Sequence, residues 1–82
     1  MRLDKYLKVS HIIKRRTMAK ETIDKDRIYV NSKLAKPSTP VNEGDIIEIK
    51  YAAKTLKVKV LSINEYTSKN DSSMMYEVIS NE

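Results

Sequence analysis

Residues 15–31, RRTMAKETIDKDRIYVN, change their hydrophobic period midway. Met18, Ala19, Thr22 and Ile23 recur at i, i+1, i+4 and i+5, one face of a helix. Arg15, Arg16 and Lys20 lie away from that face. From Arg27 the spacing becomes two. Ile28 and Val30 alternate with Arg27, Tyr29 and Asn31, the pattern of a half-buried strand. The stretch therefore predicts a helix from about residue 15 or 16 to 25, followed directly by a strand.

Working outward gives the rest of the chain. Upstream, Leu3, Tyr6 and Leu7 fall at i, i+3 and i+4, which predicts a short helix over residues 3–9. Ser10 and His11 interrupt it, and Ile12-Ile13 form an apolar link. Downstream, Asn31-Ser32 reads as a turn and Lys33-Leu34-Ala35 as a short return strand. Lys36-Pro37-Ser38-Thr39-Pro40 reads as a loop, because each proline lacks a backbone donor and biases its predecessor to extended geometry. Glu43-Gly44-Asp45 is a second turn, with the only glycine placed where positive φ is needed. Strands are expected from Asp45 to Tyr51 with Ile47 and Ile49 inward, and from Thr55 to Ile63 with Leu56, Val58 and Val60 on one face. Thr67 to Ser73 reads as a polar loop, Met75 to Ile79 as a last strand, and Ser80-Asn81-Glu82 as a frayed tail. Helices followed by strands define an α+β domain, two N-terminal helices packed on a small, mostly antiparallel sheet. One domain over residues 1–82 is expected.

Composition narrows the chemistry. The 82 residues contain no cysteine and a single histidine, His11, which exclude a disulfide scaffold, a thiolate zinc site and a histidine metal cluster. One glycine cannot build a phosphate-binding loop. Ser10 and His11 adjoin, but nothing supplies the orienting third group or the oxyanion site of a hydrolase. Asp24 and Asp26 read as capping or surface charges. The charged N-terminus carries no signal-peptide pattern, and no apolar run approaches the length of a bilayer-spanning helix. The expectation is a cytoplasmic, non-enzymatic monomer without a cofactor and without membrane contact.

The net charge of +5 is unevenly spread. Residues 1–41 carry +7 and residues 42–82 carry −2, and the first 20 residues alone carry +6. Such an asymmetry fits a polyanion partner on one face. The candidate RNA-binding residues are Arg2, Lys5 and Lys8 on the first helix and Lys14, Arg15, Arg16 and Lys20 around the second. Guanidinium groups bind phosphate bidentately and stack on bases, and backbone amides opening the second helix can add to phosphate capture. Asp4 is the lone acid among them. It reads as an internal salt-bridge partner orienting Arg2, Arg15 or Arg16. The middle of the second helix, Lys20-Glu21-Thr22, is a poor base-reading set, and the five tyrosines are dispersed rather than paired as a stacking platform. Recognition of structured RNA by shape and backbone is favoured over sequence reading.

Several stretches resemble a known family. Met1-Arg-Leu-Asp-Lys-Tyr-Leu-Lys-Val-Ser10, Ile13-Lys-Arg-Arg-Thr-Met-Ala19, Ile28-Tyr-Val-Asn31, Lys36-Pro-Ser38 and Val41-Asn-Glu-Gly-Asp45 are similar to the S-four RNA-binding domain, also called the αL RNA-binding motif. The motif core spans residues 1–50, and residues 51–82 add strands. The whole chain resembles the short, stand-alone RqcP (YabO) family, relatives of the fifteen-kilodalton heat-shock protein. That resemblance implies a factor binding the large ribosomal subunit blocked by peptidyl-tRNA. It would contact large-subunit ribosomal RNA and the tRNA, and support C-terminal alanine tailing with RqcH. The family's N-terminal arginine corresponds to Arg2, and the arginine opening the second helix to Arg16. The family often has glycine before the first strand and in its hairpin, where this chain has Asp26 and Ser32, and often arginine where it has His11.

Three alternatives stand beside this reading. One is a heat-shock-type factor that recycles stalled large subunits, which the acidic tail disfavours. Another is a fragment of an RNA-modifying enzyme, for which the expected single domain leaves no catalytic part. The third is a protein-interaction module using the Lys57 and Lys59 face of the sheet.

Overall fold

The computed structural model describes residues 1–63 and 75–81. Two helices, α1 (Leu3–Val9) and α2 (Arg16–Asp24), precede five strands: β1 (Ile28–Val30), β2 (Lys33–Leu34), β3 (Ile46–Lys50), β4 (Thr55–Val60) and β5 (Tyr76–Asn81). The strands form one antiparallel sheet in the order β2-β1-β3-β4-β5. The expected Thr67–Ser73 loop and Glu82 lie outside the described residues.

The two helices bury their faces on one side of the sheet. α1 contributes Leu3, Tyr6 and Leu7, and α2 contributes Ala19 and Ile23. The sheet contributes the inward sets Ile28 and Val30, Ile47 and Ile49, and Val58 and Val60, as strand alternation requires. Burying each of the larger aliphatic side chains contributes about 1.5–3 kcal/mol. The face expected for α2 is broader than the one observed. Met18 is half exposed, and Thr22 turns its hydroxyl back to donate to the Met18 carbonyl at 2.8 Å. An i, i+4 pair, Ala19 and Ile23, is enough to seat a helix of nine residues, so Met18 is left outside.

Two turns resolve the departures from the family's glycines. Asp26 lies just beyond the C-cap of α2 at φ +59°. Its N–H donates to the Ile23 carbonyl and the Arg27 N–H to the Thr22 carbonyl, the paired bonds of a Schellman ending. Asn31 and Ser32, at φ +52° and +68°, form the two-residue link between β1 and β2, where Val30 pairs with Lys33. Positive φ at both central residues is the type I′ pattern, whose twist matches that of the flanking strands. Thus Asp26 and Ser32 both occupy left-handed backbone, the region that favours glycine.

The tail departs from expectation. Ser80 and Asn81 are not frayed: they pair with Lys57 and Leu56 at the end of β5. The register shifts between Lys57 and Val58, which pair with Ser80 and Val78, so Ile79 is the extra residue of a bulge. β4 ends at Val60 rather than Ile63, because the Leu61 and Ser62 amides both turn to the Met75 carbonyl.

Candidate nucleic-acid interface

α1 starts in an unusual way. Its N-cap is Arg2, whose side chain makes no capping bond. The Leu3 N–H instead donates to the Thr39 carbonyl at 2.8 Å, and the Asp4 N–H to the Pro37 carbonyl at 3.2 Å. Arg2 also bridges to Pro40, and the Val41 N–H donates to the Met1 carbonyl at 2.8 Å. The proline loop therefore satisfies amides that a helix start normally leaves to a side chain or water. It fixes the backbone that carries Arg2 and Asp4.

Asp4 sits in the first turn, where the helix dipole favours an acid, and its side chain is fully buried. One carboxylate oxygen accepts the Lys5 N–H at 2.8 Å and lies 3.2 Å from the Arg2 Nε. The other accepts from a terminal nitrogen of Arg2 at 3.3 Å and from the Arg16 Nε at 3.2 Å. Burial alone would raise the carboxyl pKa. The Arg16 hydrogen bond, the Lys5 amide and the charges of Arg16 and Arg2 outweigh it, and hold the group below its ordinary value. Asp4 is thus ionised at neutral pH and binds one guanidinium from each helix.

The two arginines are only partly used by this contact. Their side chains remain 51% and 45% exposed, so about half of each is open to solvent. Arg15 is the N-cap of α2 and makes no capping bond, and the first turn of α2 contains no acid. The arrangement can grip two phosphates, one at each guanidinium.

The other candidates lie around this core. Lys8, Lys14, Arg15 and Lys20 are exposed, and none forms an ion pair among the described residues. Lys5 is half-buried beside Asp4 in sequence. The structure thus brings Arg2, Asp4 and Arg16 into one network and leaves Lys8, Lys14, Arg15 and Lys20 outside it. Of the three arginines that could pair with Asp4, it selects Arg2 and Arg16. His11 is exposed at φ +63°.

Two shallow grooves flank α2. One, of about 520 Å³, is of mixed charge, with Arg2 and Lys36 facing Asp24 and Asp26 across Ile23, Leu34 and Pro37. The other, of about 390 Å³, is lined by Ile12, Ile13, Lys14, Met18, Thr22 and Tyr51, with no acid among the described lining residues. Tyr51 carries no functional signal in the sequence, because it trails a strand as an isolated aromatic. On the outer sheet face, by contrast, Lys57 lies 3.7 Å from Glu48, and the Lys50 ammonium sits 4.6 Å above the Tyr29 ring. Among the described residues there is no cluster of His, Asp and Glu that could hold a metal, and no helix long and apolar enough to cross a membrane.

Residues 1–47 match the S4 domain family. Over 98% of its length the chain is 59% identical to the RQC P-site tRNA stabilizing factor of Streptococcus pneumoniae, of which it covers 91%. The chain belongs to the S4-domain family of RQC P-site tRNA stabilizing factors. Solved structures carry the same fold. The hypothetical protein HP1423, 26% identical, superposes over all of both chains with a TM-score of 0.83. Trimeric heat shock protein 15 of Vibrio cholerae, 23% identical, superposes with a TM-score of 0.85 over 95% of this chain and 80% of that one. Within the S4 match lie Arg2, Asp4 and Arg16, so the salt-bridged network belongs to the shared domain, and β4 and β5 lie beyond it.

Proposed function

We propose that this chain is a non-enzymatic RNA-binding factor of bacterial ribosome quality control, acting in the cytoplasm as a monomer. It binds the large ribosomal subunit blocked by peptidyl-tRNA, touching large-subunit ribosomal RNA and the tRNA. By holding the peptidyl-tRNA it supports RqcH-dependent alanine tailing of the stalled chain. The name of the Streptococcus pneumoniae relative supports the tRNA and quality-control parts of this reading.

The observation that carries the reading is the sharing of Asp4 between Arg2 and Arg16. Two flexible arginines would lose side-chain freedom on binding RNA. Here a buried carboxylate has already restrained both, so less of that entropy is lost at the moment of contact. The pair projects from two helices and can span adjacent phosphates of folded RNA. Lys5, Lys8, Lys14, Arg15 and Lys20 surround it with positive charge and add salt-dependent attraction without reading sequence.

Co-sedimentation with purified large subunits carrying peptidyl-tRNA tests the reading. Wild-type chain should pellet with them at moderate salt. Arg2→Ala and Arg16→Ala should each lose about ten- to hundredfold in affinity, as expected for hydrogen bonds to a charged group. Lys57→Glu/Lys59→Glu should pellet as wild type. Co-sedimentation of both arginine variants at wild-type levels would overturn the assignment.

A further inference from the structure

We propose that the groove between the α1–α2 link and the β3–β4 turn is a receptor for one unstacked RNA base. It rests on the RNA-binding reading above and adds a site to it. Met18 and Tyr51 are 49% and 43% exposed, and half-buried Ile12 lines the same groove with Ile13. Single exposed apolar residues are ordinary, but here a flexible thioether and an aromatic ring share one concavity.

Charge says what fits there. Among the described lining residues Lys14 is the only charged one, and it directly precedes Arg15 and Arg16. The groove therefore opens beside the most basic stretch of the chain, whereas the groove across α2 carries Asp24 and Asp26. A concavity whose described lining is mostly apolar with one cation complements a nucleotide, the base entering and the phosphate meeting Lys14. A volume of about 390 Å³ lies within the range of small-molecule sites. Unpaired bases of folded RNA stack on aromatic rings, and such stacking tolerates any base because every base has a π-face.

The backbone that carries the ring is held in position. The Tyr51 N–H donates to the Lys54 carbonyl at 2.8 Å, closing the turn after β3, and the adjacent Lys50 N–H donates to the Arg27 carbonyl at 2.7 Å. Tyr51 thus stands on a hydrogen-bonded hairpin end, and its backbone needs little ordering on contact.

The test measures affinity for large subunits carrying peptidyl-tRNA as a function of salt. Tyr51→Ala should weaken binding by about five- to hundredfold, the loss of one base stack, with an unchanged salt slope. Tyr51→Leu, which keeps apolar bulk but lacks the ring, should bind as poorly, and Tyr51→Phe should restore affinity. Lys14→Ala should lower the salt slope by about one phosphate contact. Wild-type affinity of Tyr51→Ala beside weak binding by Arg16→Ala would overturn the base site and leave the RNA-binding reading intact. Wild-type affinity of all these variants would overturn both. A defect of Tyr51→Ala that arises only when RqcH is present would assign the groove to a protein partner and overturn the base site.

Discussion

The Asp4 carboxylate lies 3.2 Å from the Arg16 Nε across the junction of two helices, and the same group lies 3.2 Å from the Arg2 Nε. Three side chains, the outermost fourteen residues apart, are thereby fixed as a unit. The acid in the basic segment is a structural part of the cationic surface, and lowers its net charge while ordering it.

Replacing that acid separates charge from order. Asp4→Asn adds one unit of positive charge to the surface yet should weaken binding to large subunits, because both guanidiniums lose their anchor. An amide oxygen can still accept the Lys5 N–H, so the fold should survive with a loss on the order of 1–3 kcal/mol. Denaturant titration and co-sedimentation on the same sample check both. Tighter RNA binding by the variant would show that charge alone matters.

The pH dependence derives from the lowered pKa of Asp4. With the folded value below the unfolded 3.8, the unfolded chain takes up the proton first on acidification. The stabilisation is full above the unfolded value and is lost as pH falls through the folded one. The stability difference between wild type and Asp4→Asn should therefore hold constant from neutrality to about pH 5 and shrink below pH 3.8. Thermal melts across that range measure it. A difference that persists unchanged at about pH 2 would refute the ionic origin.

Two left-handed residues offer stabilising substitutions. Ser32→Gly in the type I′ link and Asp26→Gly after α2 each remove a Cβ from positive φ. Each should add about 1 kcal/mol, raising the Tm by about 4–8 °C in a domain of this size. Calorimetry of the two variants tests this, and an unchanged or lower Tm in both would contradict the turn geometry.

Tyr6 links α1 to the start of β5. Its buried hydroxyl donates to the Met75 carbonyl at 2.7 Å, and burial raises its pKa well above the usual tyrosine range. That carbonyl also accepts the Leu61 and Ser62 amides, so Tyr6→Phe leaves it satisfied. The loss should be modest, about 0.5–1.5 kcal/mol by denaturant melting, and the phenol should stay protonated at about pH 11 while the chain is folded. A tyrosinate absorbance from all five tyrosines at that pH in folded protein would refute its burial.

Local pattern carried most of the architecture. The shift from helical to alternating spacing at Arg27 marks the passage from α2 to β1, and Ile47, Ile49, Val58 and Val60 all point inward as alternation requires. Long-range choices were not legible. Met18 has the spacing of a core residue, but the seat of α2 is only as wide as Ala19 and Ile23. Ser80 and Asn81 have a tail-like composition, yet β4 supplies them with partners through a bulge that no local signal announces. At the site, Asp4 was visible as the odd acid, whereas its choice of Arg16 over Arg15 depends on how α2 leaves its N-cap. Tyr51 had no signal at all, since a groove is made by residues 12–22 meeting a turn after β3.

The clasp between the chain's first residues and residues 37–41 sets an order of assembly. Emerging from its own ribosome, the nascent chain has only water for the Leu3 and Asp4 amides until the proline loop is out. Its leading helix is therefore unfinished while roughly the first half of the protein is being made, and Arg2 and Arg16 stay unaligned. The Arg2–Asp4–Arg16 network is completed late, once residues 37–41 have closed on the start of α1.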